Sequence, residues 1–352
     1  MNGVLAAAFV IATGVIATGA ALVGPAPAMA QTPIGVSYQP ALYWAAPYFI
    51  ASEKGWWKEV GLAPSFTTFP AGPPQMAAAA AKSWDVGGTG SAPAVLGSQR
   101  FNVLTIGITN DESAGNALMV RKADLAKIKA DPQSLKGQQL LVTTNTTGEY
   151  ASLACFAKWG LKKTDVTFVN LGQAQIISAF STGTGAIAGV WAPNIYTLQA
   201  QANAEVICSG KDAGAVVPGA LVVRADYAKE NPDKVAAYLA VYLRSIAWQK
   251  KNRAETLQLM AKFYDQGGVK LETKYLEQEI DTRPTFILAE QLELLDRSSG
   301  KSTADQWFGQ LAEFLKSVGT LQEVPDTKTF VTDEYLKRVA ADPKLRAFAN
   351  AE

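Results

Sequence analysis

The sequence predicts an α/β protein of two lobes with mostly parallel sheets, followed by C-terminal helices. The chain has 352 residues, of which 48% are hydrophobic and 18% are charged, so it can bury a large core. Such a length exceeds what a single hydrophobic core usually serves. Short β-branched runs alternate with helical stretches, which is typical of βαβ units. The same succession of motifs and predicted elements occurs twice along the chain, which indicates two lobes with the same fold.

The N-terminal segment has the pattern of a signal peptide. It is apolar from Val4 to Val23, and Ala28-Met29-Ala30 supplies the small residues that precede a cleavage site. We expect residues 1–30 to be removed after Ala30, with export of the remainder. An uncleaved membrane anchor is the alternative, because about 20 apolar residues span a bilayer. No cysteine lies near Ala30, so we expect no lipid attachment.

The repeated order is a tryptophan, a Gly-Leu pair, a strand, a small-residue helix, a second strand and an Ala-Pro pair. It runs from Trp57 to Pro93 in the first copy and from Trp159 to Pro193 in the second. We expect lobe 1 to comprise residues 31–115 plus 222–352, and lobe 2 to comprise residues 116–221.

The C-terminal part has helical periodicity. Asn231-Pro232 predicts a helix start with proline in the first turn, and the apolar stripe from Val235 to Ile246 continues that helix. A second stripe from Trp307 to Val318 is expected to stop at Gly319. These stripes predict packing helices that brace the lobes.

Composition excludes several kinds of chemistry. The chain contains no histidine, which excludes Ser-His-Asp and Cys-His triads and His-ligated metals. The chain has 32 basic and 31 acidic residues, so it lacks the excess positive charge that binding of nucleic acid requires. Cys155 and Cys208 could form a disulfide or remain buried thiols, and their spacing argues against a redox or metal role. We therefore expect no cofactor and no metal.

Three polar turns follow predicted strands, where ligands collect in open α/β sheets. They are Ser37-Tyr38-Gln39-Pro40, the glycine-rich stretch from Gly87 to Pro93, and the hydroxyl-rich stretch from Thr143 to Tyr150. The last of these places helix N–H groups near Thr146 and Thr147, which favours an anion site without a cationic side chain. Turn geometry explains the glycines equally well, and a capping box of Thr146 with Glu149 is the structural alternative.

Two other positions are candidates for the cleft. Trp191 follows a strand of small residues and could either wall a pocket or fill space. Ser113 and Asn116 lie in a polar stretch that should cross between the lobes.

The ordered motifs resemble those of solute-binding proteins of ABC importers for taurine, alkanesulfonates, nitrate and related ligands. The motifs are Phe69-Pro70-Ala71-Gly72, Thr146-Thr147-Gly148-Glu149-Tyr150, Trp159-Gly160-Leu161, Val190-Trp191-Ala192-Pro193 and Val222-Val223-Arg224. The resemblance covers essentially the whole chain after residue 30. It implies a type II periplasmic-binding-protein architecture, a monomer with its ligand in the cleft between the lobes, and delivery to permease and ATPase subunits at the inner membrane.

The resemblance also assigns candidate ligand-binding residues. These are Tyr38, Gln39, Gly90, Ser91, Ser113, Thr146, Thr147, Trp191 and Gly219. Gly219 stands where taurine-type members carry an acidic residue, so a ligand amine would lose its counter-charge unless Glu112 or Glu149 replaces it. Together with Tyr43 and Trp44, this small residue is expected to leave room for a flat or aromatic anion. Glu149 stands where many members have histidine, and we expect it to point to solvent.

A related branch of this fold makes a thiamine pyrimidine by consuming its own histidine, and that reading fails without histidine. We expect a binder of a small organic anion, either a sulfonate or a carboxylate, with aromatic anions included, and no enzymatic activity. The alternatives are a ligand-loaded sensor, a binder of a heterocyclic thiamine-type precursor and, last, a carboxylate-based enzyme.

Overall fold

The computed structural model describes residues 31–351, except for the side chains of residues 42 and 43. The expected signal peptide, residues 1–30, and the expected role of Tyr43 therefore lie outside the described residues. Among the described helices, none combines the length and the apolar composition that a membrane span requires.

Within residues 31–351, ten strands form two five-stranded sheets with the same strand arrangement. The orders are β2-β1-β3-β10-β4 and β7-β6-β8-β5-β9. The strands are β1 (Thr32–Tyr38), β2 (Leu62–Thr68), β3 (Val86–Gly90), β4 (Val103–Asp111), β5 (Asn116–Arg121), β6 (Gln139–Val142), β7 (Thr167–Asn170), β8 (Ile187–Trp191), β9 (Ala204–Ser209) and β10 (Pro218–Arg224). Strands β10 and β5 pair antiparallel with both neighbours, while the other pairs are parallel. Four strands of each sheet therefore share one direction, as predicted.

Helices cover the faces of both sheets. They are α1 (Leu42–Glu53), α2 (Trp56–Glu59), α3 (Gly72–Ala79), α4 (Ser91–Phe101), α5 (Lys122–Ala130), α6 (Thr147–Lys158), α7 (Gln173–Ser181), α8 (Asn194–Ala202), α9 (Ala225–Glu230), α10 (Pro232–Lys251), α11 (Arg253–Gln266), α12 (Thr273–Asp281), α13 (Leu288–Leu294), α14 (Thr303–Ser317), α15 (Glu334–Ala341) and α16 (Pro343–Ala349). Every residue of the central strands β3 and β8 is buried, because a strand with helices on both sides presents neither face to water.

The repeat in the sequence corresponds to equivalent elements in the two sheets. Its first copy forms β2, α3, β3 and α4, and its second copy forms β7, α7, β8 and α8. Strands β2 and β7 lie at equivalent edges, and β3 and β8 are both central. The predicted α/β architecture of two similar lobes is therefore confirmed.

In the described part of the chain, two segments cross between the sheets. The first crossing, residues 112–115, ends where β5 begins at Asn116, and the second, residues 210–217, ends where β10 begins at Pro218. All of β10 pairs with β3 and β4 of the first sheet. The boundary expected after residue 221 thus falls inside this strand, because a continuous apolar run gives no sign of where the chain changes sheet.

The C-terminal helices brace the first lobe and also reach the second. Helix α10 begins at Pro232, and α14 ends just before Gly319, whose φ is 78°. Helices α11 and α12 join the two lobes, since Tyr275 of α12 stacks on Tyr196 of α8 with ring centroids 5.0 Å apart. The connection between α11 and α12 therefore lies against the cleft.

Cys155 of α6 and Cys208 of β9 form a disulfide, with a Cα–Cα distance of 6.1 Å. Both residues are buried, and the bond ties the helix to the edge strand of the second sheet. Of the two possibilities that the sequence leaves open, the structure has the disulfide.

Replacing both cysteines with alanine is expected to lower the free energy of unfolding by about 4 kcal/mol, because the bond closes a loop over a separation of 53 residues. Urea denaturation with and without a reductant measures this effect. The double variant should be insensitive to the reductant. A wild-type midpoint that the reductant leaves unchanged would contradict the prediction.

Candidate ligand-binding site

Two helix starts from opposite lobes contact each other. Gly90 precedes α4, and Thr147 is the first residue of α6. A Cβ atom built on Gly90 would lie 2.6 Å from Thr147 Cγ2, so these residues are in contact. The first N–H groups of a helix have no partner within it and carry the positive end of its dipole. Two such ends close to one another favour an anion beside them.

Two buried polar atoms lie beside this contact without a hydrogen-bond partner in the described part of the chain. They are Ser91 Oγ and Asn110 Nδ2. Asn110 ends up here because its strand, β4, pairs with β10, whose Gly219 is opposite Gly90. Unsatisfied buried donors call for an explanation, and a ligand supplies one. We call Gly90, Ser91, Asn110 and Thr147 the base site.

Thr146 acts as the cap of α6. Its hydroxyl donates to the Thr143 carbonyl at 2.6 Å and accepts from the Glu149 N–H at 3.4 Å. The Glu149 carboxylate accepts from the Asn145 N–H at 2.6 Å and pairs with Lys163 at 2.9 Å, and its side chain is 4% exposed. The expectation that Glu149 points to solvent is therefore wrong, because Lys163 neutralises the carboxylate within the protein.

Ser113 lies in the first crossing between the sheets. Its hydroxyl donates to the Asp111 carboxylate and accepts from the Val217 N–H at 3.0 Å. Both interactions join parts of the protein to one another. The hydroxyl that the resemblance assigns to the ligand is thus engaged in holding the two crossings together.

Gly219 does not open space for a ligand. A Cβ atom at this position would overlap Thr109 Oγ1 and would lie 2.7 Å from Asn110 Oδ1. The expectation of free room at Gly219 is therefore wrong. The neighbouring strand β4 supplies side chains that fill this space, and its register against β10 cannot be read from the sequence.

A cavity of about 760 Å³ lies between the lobes, and we call it the outer cavity. Its lining comes from both lobes and from the connection between α11 and α12. Five aromatic side chains and one amide are among its lining residues: Tyr38, Trp191, Tyr196, Tyr264, Tyr275 and Gln39. Of these, Tyr196, Tyr264 and Tyr275 were not predicted from the sequence. Phe263-Tyr264 followed by Gly267-Gly268, an aromatic pair at the end of a helix, is the signal that could have found this wall.

Trp191 links the base site to the outer cavity. Its Cε3 atom lies 3.2 Å from the position of a Cβ on Gly148, in the first turn of α6, and its ring lines the outer cavity. The side chain is 5% exposed and packs in one cluster with Trp44, Met260 and Tyr264. Both interpretations of Trp191 therefore apply, because it fills space between the lobes and also walls the cavity.

The outer cavity contains little charge. Lys270 and Glu272 are its only charged lining residues within the described chain, and both are exposed. Glu272 pairs with Lys274 at 2.9 Å. Neither Glu112 nor Glu149 lines the cavity. Glu112 is buried at the first crossing, where burial raises the pKa of its carboxyl to about 8. A ligand amine would thus find no buried carboxylate among these lining residues.

A family model described as NMT1/THI5 like matches residues 44–256, which is more than half of the chain. The chain belongs to the NMT1/THI5-like family.

Relatives and solved structures agree with the fold of this NMT1/THI5-like protein. The taurine-binding periplasmic protein of Escherichia coli (strain K12) is 30% identical over 185 residues, 51% of this chain and 56% of the relative. The periplasmic aliphatic sulphonate-binding protein of Escherichia coli aligns with a TM-score of 0.69 at 20% identity, over 88% of this chain and 100% of that one. The alkanesulfonate-binding protein of Xanthomonas axonopodis pv. citri bound to MOPS gives a TM-score of 0.72 at 19% identity, over 86% and 99%. The predicted resemblance and the periplasmic-binding-protein fold are confirmed.

The nine candidate residues of this NMT1/THI5-like protein fall into three groups. Gly90, Ser91 and Thr147 meet in the base site, and Tyr38, Gln39 and Trp191 line the outer cavity. The third group has structural roles: Thr146 caps α6, Ser113 joins the two crossings, and Gly219 lets β10 pack against Thr109. Asn110, which was not among the nine, completes the base site.

Proposed function

We propose that this protein is the substrate-binding component of an ABC importer and captures a small organic anion, a sulfonate or a carboxylate, for uptake. The observation that carries the proposal is the contact between Gly90 and Thr147. It brings the starts of α4 and α6 together beside the unpartnered Ser91 Oγ and Asn110 Nδ2.

The base site suits a group with a fixed negative charge. A helix start stabilises an anion by about 0.3–1 kcal/mol at an exposed site and by up to about 2 kcal/mol when partly buried. Ser91 and Asn110 are neutral donors, so the four base-site residues provide recognition without a titrating group. Sulfonates and carboxylates carry their charge throughout the neutral range.

The comparisons support transport of such a ligand. The relatives are named for binding taurine or sulfonates, and two of the three are named as periplasmic. By analogy, the expected signal peptide would place this protein in the periplasm, where a monomer would deliver its ligand to the permease and ATPase subunits at the inner membrane.

Binding is favoured over catalysis by the composition of the base site. Acid-base catalysis by carboxylates needs two such groups beside the reacting atoms. The base site offers a hydroxyl, an amide, a glycine and a threonine, and the buried Glu112 accepts a hydrogen bond from Asn116 at 3.0 Å in the first crossing. We therefore propose that the protein releases its ligand unchanged.

Anions of the proposed class are expected to raise the melting temperature by several degrees. Ligand at a hundredfold excess over Kd stabilises the folded state by about 2.7 kcal/mol. The measurement is a thermal-shift panel of taurine, alkanesulfonates, aryl carboxylates, arylsulfonates and nitrate, with choline chloride as the control. No shift with any anion would contradict the proposal. A shift with a neutral aminopyrimidine alone would favour a binder of thiamine-type precursors.

A further inference from the structure

We propose that the outer cavity selects anions whose tail is flat, uncharged and able to donate a hydrogen bond, and that Gln39 accepts this bond. The inference rests on the proposed function, since it takes the anionic group to lie in the base site. It adds a rule for the other end of the ligand.

The size of the outer cavity sets the scale of the tail. Pockets for organic ligands have volumes of roughly 300–1,000 Å³, and the outer cavity has about 760 Å³. Nitrate or a short alkanesulfonate would leave most of this volume to water. A ring-sized tail would instead use the walls that both lobes and the α11–α12 connection supply.

The walls are aromatic and held in place. Trp191 is fixed by its packing against Trp44 and Met260, and Tyr196 is fixed by its stack on Tyr275. Aromatic side chains of this kind present flat apolar faces, which pack best against another flat group. Because the charged lining residues Lys270 and Glu272 are both exposed, the interior of the cavity suits an uncharged tail.

The orientation of the Gln75 amide is determined by its partners. Gln75 Nε2 donates to Ser37 Oγ at 2.8 Å and to the Gly88 carbonyl oxygen at 3.1 Å. A carbonyl oxygen only accepts, so the nitrogen of Gln75 must face Gly88. Its Oε1 atom then faces Gln39, and Gln39 Nε2 donates to it.

Because its Nε2 atom donates to Gln75, Gln39 has its Oε1 atom left for another hydrogen bond. Gln39 Oε1 is buried and has no hydrogen-bond partner among the described residues, on a side chain that lines the outer cavity. An amide oxygen accepts and cannot donate, so it would repel the anionic group and attract an N–H or O–H of the ligand. The geometry therefore assigns Gln39 to the tail rather than to the anion.

The test compares ligands that differ only in the donor. Binding of 4-hydroxybenzenesulfonate and of 4-methylbenzenesulfonate, together with their 3-isomers, is measured by isothermal titration calorimetry with wild-type protein and with Gln39→Met. We expect wild type to bind one hydroxyl isomer about tenfold more tightly than its methyl counterpart. In Gln39→Met this ratio should fall to about one.

Two further variants separate recognition from folding. Gln75→Met removes the partner that orients Gln39, so it should lower the hydroxyl-to-methyl ratio even if Gln39→Met folds poorly. Gln99→Met changes an exposed glutamine outside the cavity and should leave the ratio unchanged. Thermal melts of all three variants report on folding.

The outcomes distinguish the two proposals. Equal binding of hydroxyl and methyl ligands by wild type would overturn the role of Gln39, although the proposed function would stand. Binding of nitrate or taurine without any arylsulfonate would overturn the whole inference and likewise leave the function in place. Failure of every anion to bind would overturn both.

Discussion

Replacing Gly90 with alanine is expected to weaken binding of the best anion in the panel at least a hundredfold. The added Cβ would lie 2.6 Å from Thr147 Cγ2, closer than carbon atoms approach without displacement. It would push the starts of α4 and α6 apart and separate the two dipoles from the shared anion. The φ of Gly90 is −75°, which alanine adopts readily, so the fold should remain intact. Isothermal titration calorimetry gives the affinity, and a thermal melt without ligand checks the fold.

Two controls identify the cause of this loss. Thr147→Ser removes Cγ2, so the double variant Gly90→Ala with Thr147→Ser should regain part of the affinity. Gly309→Ala adds the same methyl group in α14, where the nearest atom would be 3.9 Å away, and should bind like wild type. Undiminished binding by Gly90→Ala would show that the two helix starts do not hold the ligand together.

Replacing Glu112 with glutamine is expected to raise the free energy of unfolding by about 4 kcal/mol at pH 8 and to change it little at pH 4. Burial is the main cause that raises the pKa of this carboxyl from 4.5 to about 8, with smaller contributions from Asp111 and Glu279. The hydrogen bond from Asn116 and the charge of Arg283 act in the opposite direction.

The sign follows from the two pKa values of Glu112. Below pH 4.5 the carboxyl is protonated in both the folded and the unfolded state, so it does not make the free energy of unfolding depend on pH. Between pH 4.5 and 8 the unfolded chain gains stability by losing the proton while the folded chain keeps it, so wild type becomes less stable as the pH rises. Glutamine does not titrate, so the gap between variant and wild type should widen over this window.

Urea denaturation at pH 4, 6 and 8 measures the difference in the free energy of unfolding between Glu112→Gln and wild type. Glu293→Gln, which changes an exposed glutamate on α13, is the matched control and should follow wild type at each pH. Parallel curves for Glu112→Gln and wild type would contradict the raised pKa.

The sequence predicted the architecture because its signals are local. The repeat, the strand-to-helix turns and the start of α10 at Pro232 each depend on neighbouring residues. The same holds for Gly90 and Thr147, which lie at the ends of elements where ligands usually bind.

The wrong expectations depended on contacts that are distant along the chain. Gly219 is crowded by Thr109 of another strand, and Glu149 is buried because Lys163 reaches it from the turn after its helix. Gln39 could be named from the sequence, but the orientation of its amide depends on Gln75 and Gly88. Side chains that meet only through tertiary pairing leave no pattern in neighbouring residues.

The hydrogen bonds at Ser113 have a consequence for motion. This residue accepts from the Val217 N–H through its hydroxyl and from the Lys211 N–H through its carbonyl, and the Glu112 N–H donates to the Val217 carbonyl at 2.8 Å. These hydrogen bonds hold the two crossings side by side, so that one cannot move without the other. The paired crossings are one connection between the lobes, and the stack of Tyr275 on Tyr196 is another. Under the proposed function, a rotation of one lobe that released the ligand would have to bend both crossings together, and the angle between the lobes would then differ between the loaded and the empty protein.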